Sequence, residues 1–300
     1  MKQYIKKNGQ AIIELARYFM LMEVGTRVLT VDELSKKIAC SVGYIAKSIK
    51  EIEAIGAIHL ERQGRNGTIV KSINFKKLVE LADFGRLVCA MPLPYTKRYE
   101  GLASAIKDQI DIVPLYFAHM RGADVRAECL KNGVYDIAIM SKLAAQSYIE
   151  EGTLQIAIEL PVHSYVSEHK LIYKGDDRDS IKRIGVDPDS PDQKVLTEMI
   201  FKGRNVDIVA VPYNECLDKV NSNYIDATIW NPSSKSNEQY SSLRQEAISD
   251  LDNVDNFSIA VLMVRKDANF TKALLNHMLN IEELKSHQEQ VISGSRTPTY

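Results

Sequence analysis

The sequence has no Cys-x-x-Cys pair, no His-x-x-x-His pair, no glycine-rich phosphate loop and no nucleophile elbow. These absences remove the common zinc, dithiol redox, nucleotide-phosphate and serine-hydrolase readings. Its four cysteines, Cys40, Cys89, Cys129 and Cys216, are scattered and fit buried thiols. A calcium loop is almost spelled by "DPDSPDQKVLTE", with Asp187, Asp189 and Glu198 at the first, third and twelfth places. Pro191 at the fifth place and Asp192 where glycine is required exclude it. No apolar run approaches the roughly 20 residues of a membrane span. The early stretch "AIIELARYFMLM" is interrupted by Glu14 and Arg17 and lacks a cleavage site, so it does not read as a signal peptide. The expectation is a soluble, cytoplasmic chain with no cofactor, no metal and no membrane partner.

Net charge is also nearly absent, at −1 over 300 residues, but the total hides a division. Residues 1–77 hold 14 lysines and arginines against 7 acids, and the remainder holds 24 against 32. A basic amino-terminal module on an acidic body implies a polyanionic partner for the first part.

What is present in that module is three helical patterns and a hairpin. Ile12, Ile13, Leu15, Ala16, Phe19 and Met20 share one helix face. Thr30 and Glu33 in "TVDELSKKIA" make a capping box, and Val31, Leu34 and Ile38 turn inward. Ser41 is a second N-cap candidate before "YIAKSIKEIEAIG", where Ile45, Ile49, Ile52 and Ile55 form a stripe ended by Gly56. "AIHLERQGRNGTIVKSI" then alternates as two strands around Asn66-Gly67, a tight-turn signal. Three helices and a hairpin predict a winged helix-turn-helix. Its third helix would present Tyr44, Lys47 and Ser48 to a major groove, and its wing would carry Arg62 and Arg65 to the backbone or minor groove. The partner implied is double-stranded DNA.

From residue 74 the grammar changes. A connecting helix over 74–85 leads to strands "RLVCAMP", "DIVPLYFAH" and "YDIAIMS", each followed by a helix. That alternation predicts an α/β fold with a mostly parallel sheet. "LQIAIELP" and "SYVSEHKLIYKG" have no helix between them, which suggests passage into a second lobe. "KRIGVDP", "VDIVAVP" and "YIDATIW" repeat the alternation, and "FSIAVLMVRKDA" returns. Two lobes joined by two crossings describe a bilobed, type 2 periplasmic-binding-protein-like domain. The expected boundaries are 1–73 for the winged helix, 74–85 for the linker helix and 86–300 for the effector domain. Within the last, lobe I covers about 86–161 and 262–300, and lobe II about 164–256.

Ligands of open parallel sheets sit beyond the carboxyl ends of the strands, where helix amino termini favour negative charge. Strand ends therefore nominate Pro94, Tyr95, Thr96, Ser141, His163, Ser164, Asp187, Ser190, Trp230 and Asn231, with Arg121 able to grip a carboxylate. Ser190 and Gln193 read as another capping box, with Pro191 at the first helical position. The effector implied is small and anionic. No acid, base and nucleophile converge, so no catalytic residue is assigned. The competing reading, an enzyme on the same scaffold with an accessory winged helix, has only His163 and Asp187 to offer.

Two resemblances add to this. "SIKEIEAIGAI…GRNGTIV" is similar to the DNA-binding half of GntR-type regulators, which implies operator contacts for Ser41, Tyr44, Lys47 and Arg65. "MPLPYTKRYEGLASAI" followed by "MRGADVRAECLKNGVYDIAIMSKLAA" resembles the YhfZ family of transcriptional regulators over nearly the whole chain. That likeness implies a DNA-binding head and a binding-protein-like effector domain. Beyond residue 235 it is less distinctive. The expected protein is a one-component regulator acting as a homodimer on a palindromic operator.

Overall fold

Apolar residues at helical spacing and one capping box organise the amino-terminal unit of the computed structural model, which describes residues 7–232, 238–248 and 255–300. Helix α1 (Lys7–Met20) buries Ala11, Leu15, Ala16 and Phe19 completely, while Ile12 and Ile13 are half-covered. After the short strand β1 (Arg27–Val28), α2 (Val31–Ile38) begins at the expected box. The Glu33 amide donates to Thr30 Oγ1 at 3.3 Å, and the Thr30 amide donates to the Glu33 carboxylate at 2.7 Å. Helix α3 (Val42–Ala54) packs Ile45, Ile49 and Ile52 inward and ends at Gly56, whose φ is +74°. Ile55 leaves the predicted stripe: it is the helix's last cap residue, 46% exposed, and its carbonyl accepts from Lys77 Nζ at 2.7 Å.

Strands β2 (Ile58–Arg62) and β3 (Thr68–Ile73) pair antiparallel, with β1 on the outer side of β3. The wing tip is longer than the predicted two-residue turn. Gly64–Asn66 makes one tight helical turn, Gly67 takes φ +85°, and the Gln63 amide donates to the Gly67 carbonyl. Helix α4 (Phe75–Leu81), predicted as a linker helix, packs on α1 through Leu78 and Val79. The helix Asn269–Met278, predicted in lobe I, belongs to this first unit. Its His277 ring stacks on Phe75 at 3.8 Å, and Arg17 lies over Phe270.

The second unit holds two five-stranded sheets with one plan. In lobe I the order is β5-β4-β6-β13-β7, from β4 (Leu87–Met91), β5 (Leu115–His119), β6 (Ile137–Ser141), β7 (Leu154–Glu159) and β13 (Ala260–Arg265). Helices α5 (Lys97–Gln109), α6 (Ala123–Lys131) and α7 (Lys142–Glu150) follow its first three strands. In lobe II the order is β10-β9-β11-β8-β12, from β8 (Lys170–Tyr173), β9 (Arg183–Val186), β10 (Asp207–Ala210), β11 (Ala227–Trp230) and β12 (Arg244–Ala247). Helix α8 (Pro191–Ile200) follows β9. In each sheet the fourth strand, β13 or β8, runs antiparallel to both neighbours. Each is also the strand that has just crossed from the other lobe.

The crossings are fastened together. The Ala260 amide donates to Ser164 Oγ at 2.8 Å, and the Tyr165 amide donates to the Ser258 carbonyl at 2.7 Å. Ile137 to Met140 and Val261 to Val264 are fully buried, so β6 and β13 form the centre of lobe I. No helix among the described residues is long and apolar enough to cross a membrane.

Candidate functional site

On the first unit, the outer face of α3 carries Tyr44, 40% exposed, and Lys47, which sits 3.6 Å from Glu51. Lys50, not singled out from the sequence, is exposed one turn further on. Arg62 and Arg65 are exposed on the wing, Arg62 within 3.5 Å of Glu53. Ser48 does not join them. It is completely buried, because position 48 falls between Ile45 and Ile52 on the inner stripe. Ser41 is exposed at the start of α3 but makes no side-chain cap, and Thr30 is committed to capping α2. The Asn66 side chain lies outside the described residues.

In the second unit, the strand ends of both lobes surround a cavity of about 120 Å³. Tyr95, Thr96, Arg121, Asp187, Ser190, Trp230 and Asn231 reach its wall as expected from their positions after strands. Four nominated residues do not. Pro94 lines a separate hollow beside Lys97 and Arg98, on the outer side of the same loop. His163, at φ +65°, borders a third depression behind the crossing. Ser164 is buried as the bolt between the crossings.

Ser141 is the fourth, and its hydroxyl is fully employed. It accepts from the Ala144 amide at 3.0 Å, capping α7, and donates to Asp192 Oδ1 of lobe II at 2.7 Å. The end of β6 thus delivers a hydroxyl to hold one lobe to the other. Arg121 is similarly engaged. Its guanidinium lies 3.5 Å from Asp187 and 3.8 Å from Asp189, and Nη1 donates to Asn214 Oδ1 at 3.4 Å, all three in lobe II. Lys194 of α8 faces Asp124 of α6 at 3.8 Å. Gly122 opens α6 at φ +81°, and a Cβ there would stand 2.7 Å from that of Asp189. Glycine alone permits so close an approach.

Asp187 is buried, accepting from the Asp189 and Tyr213 amides, each at 2.9 Å. The predicted reciprocal box at α8 is only half formed. Ser190 Oγ accepts from Gln193 N, but buried Gln193 accepts from the Asp187 amide at 2.7 Å and donates to the Ile229 carbonyl at 2.7 Å. It fixes the floor of the site instead of closing the cap.

Sequence reading missed Arg126, Asp192, His169 and the tyrosines. Arg126 is buried under the cavity, donating from Nε to the Ile139 carbonyl, from Nη1 to the Met120 carbonyl and from Nη2 to the Tyr165 hydroxyl, at 2.9–3.1 Å. Burial pushes the Asp192 carboxyl up to about 7, although Ser141 and Arg126 pull it down, while Asp124 adds to the rise. Burial also lowers the His169 ring to about 4, so it is neutral. Tyr213 stacks on Trp230 with ring centres 4.1 Å apart. Tyr213 stands three residues past β10, at a strand end that was not nominated, whereas Tyr99, Arg126 and Asp192 lie within helices and Tyr165 and His169 on the crossing into β8.

The comparisons with known proteins agree with this geometry. A helix-turn-helix domain family matches residues 23–70, and the YhfZ C-terminal domain family matches residues 74–300. YhfZ of Escherichia coli (strain K12) is 41% identical over 299 residues, covering 100% of this chain and 99% of its own. The crystal structure of YhfZ from Shigella flexneri is similar with a TM-score of 0.67 at 42% identity, over 75% of this chain and 97% of that one. The periplasmic VFT2 domain of Bordetella pertussis BvgS has a TM-score of 0.51 at 14% identity, over 73% and 98% of the two chains. The substrate-binding protein of an amino acid ABC transporter reaches 0.54 at 16%, over 70% and 98%. At such identities these two likenesses show the fold alone, and that fold is periplasmic-binding-protein-like.

Proposed function

Because the chain belongs to the YhfZ family, a helix-turn-helix head on a periplasmic-binding-protein-like body, we propose that it is a cytoplasmic one-component transcriptional regulator. The head binds double-stranded DNA in the GntR manner, and a small molecule in the interlobe cavity modulates that binding. The observation carrying this reading is the pairing, in one chain, of an outward basic face on α3 and the wing with a cavity between two lobes lined by aromatic and charged side chains. Tyr44, Lys47 and Lys50 suit a major groove, and Arg65 suits the flanking phosphates. One head reads one half-site, so a homodimer on a palindrome is the natural assembly.

A non-catalytic cleft has support as well. Asp187 already accepts two amides and faces Arg121, and His163 sits outside the cavity. Neither is poised to move a proton for a substrate.

Fluorescence anisotropy with labelled DNA from upstream of the protein's own gene tests the proposal. Tight binding should weaken steeply with salt, as phosphate contacts release counterions. Lys47→Ala and Arg65→Ala should each weaken binding and lower the salt slope by about 1 if each meets one phosphate. Circular dichroism should show both variants folded. Salt-independent affinity, or no loss in either variant, refutes the DNA assignment.

A further inference from the structure

We infer that the cleft is built for an organic cation, a small molecule whose ammonium group sits against aromatic rings between Asp192 and Asn231. This rests on the effector reading above and names the ligand's chemical class.

The charge balance of the cavity wall gives the first reason. Arg121 and Arg126 face Asp187, Asp189 and Asp192, and His169 is neutral, so with Asp192 ionised the wall carries one negative charge more than its arginines match. The arginines are also committed. Arg121 is shared between Asp187 and Asp189, and each nitrogen of Arg126 already donates to a protein oxygen.

The second reason is the kind of hydrogen-bonding capacity left open. Asn231 Oδ1 is a buried acceptor with no donor. Asp192 Oδ1 is taken by Ser141, and among the described residues no donor reaches its other oxygen. Buried acceptors in native proteins are nearly always satisfied, so a ligand that brings donors fits this wall. An ammonium brings up to three.

The third is the aromatic lining. Tyr95, Tyr99, Tyr165, Tyr213 and Trp230 surround the same space. Ring faces attract ammonium ions, and clusters of them recognise even quaternary ones. The helix amino termini that suggested an anion are occupied from within the protein. Ser141 caps α7, Ser190 caps α8, and Asp189 packs against Gly122 at the start of α6. Asp124 in the first turn of α6 and Asp192 in that of α8 already place negative charge at two of those termini.

Proton linkage separates the two classes of ligand. The groups that face Asp192 are Ser141, Arg126, Asp124 and Tyr99 of lobe I, Tyr165 of the crossing and Tyr213 of lobe II, and its carboxyl titrates near neutrality. An ammonium beside it favours the ionised form and releases protons on binding, whereas an anion takes protons up.

The experiment is thermal-shift screening of the full chain, followed by calorimetry near neutral pH in two buffers of different protonation enthalpy. The probes are choline, glycine betaine, putrescine and the amino acids, set against matched hydroxy acids and inorganic phosphate. At least one ammonium compound should bind about tenfold or more tightly than its counterpart lacking nitrogen, a difference of about 1.4 kcal/mol. Proton release should accompany it. Asp192→Asn should weaken it by a similar factor while melting cooperatively, and Asn231→Ala should weaken it independently. Binding by hydroxy acids or phosphate alone, proton uptake, or no binding by any ammonium probe overturns the inference. An anion that binds and alters DNA affinity would leave the regulator reading intact and remove only the cation. An ammonium compound that binds without altering DNA affinity would uphold the cation and remove the regulator.

Discussion

Asp192 shows how much a single residue's role depends on partners remote in the sequence. Its hydroxyl donor comes from the end of β6 and its cationic neighbour from α6. Read alone, Asp192 was merely the residue that spoiled a calcium loop. Ser190, by contrast, was legible because capping is a local geometry between residues three apart. Arg126 was invisible for the same reason as Asp192, since its acceptors lie at 120, 139 and 165. A testable consequence concerns pH. With the folded carboxyl near 7 and the unfolded one in the ordinary range near 4, the folded state holds a proton that the unfolded chain has released. Asp192 therefore lowers stability progressively as pH rises between those values, and the effect levels off above about 7. In urea unfolding, the advantage of Asp192→Asn over the parent chain should grow from pH 5 to pH 7 and then flatten. A constant difference would show that the carboxyl titrates in its ordinary range.

Strong periodicity made most elements readable. The capping box placed α2, the isoleucine stripe placed α3, and continuous apolar runs placed β6 and β13. The weak signals failed for physical reasons. Strand β12, "RQEA", is a polar edge strand held by its ladder to β8, so it has no apolar alternation to show. The helix Asn269–Met278 was correctly read as a helix but assigned to the wrong unit, because the partner of an apolar face is not written in that face. Ser48 was misplaced outward because its side chain is polar, while its position on α3 is an inner one. The two crossing segments carry a prediction of their own. Ser164→Ala strips the buried Ala260 amide of its acceptor and should cost about 1–3 kcal/mol of unfolding free energy. Chemical denaturation measures this, and an unchanged midpoint would mean that water replaces the hydroxyl.

For the molecule as a whole, alternation of strands and helices was enough to predict two lobes, and three helices with a hairpin were enough to predict the head, which a helix-turn-helix family matches. Which residues line the cleft was only partly legible, because seven nominated strand-end residues reach it while the arginine beneath it and three of its five tyrosine and tryptophan rings, Tyr99, Tyr165 and Tyr213, depend on how the lobes meet. If ligand and DNA are linked, the linkage must be reciprocal. A ligand that changes DNA affinity by about 5- to 150-fold, the usual 1–3 kcal/mol, must have its own affinity changed equally by DNA. Parallel titrations of each partner in the presence of the other check this, and unequal factors would mean that ligand and DNA do not act on one equilibrium. The chain's only tryptophan, Trp230, is in the cleft wall against Tyr213. The protein therefore carries its own optical reporter: emission excited selectively from the indole arises from this one location, so a change in quenching on adding a compound signals events at the cleft without any attached dye.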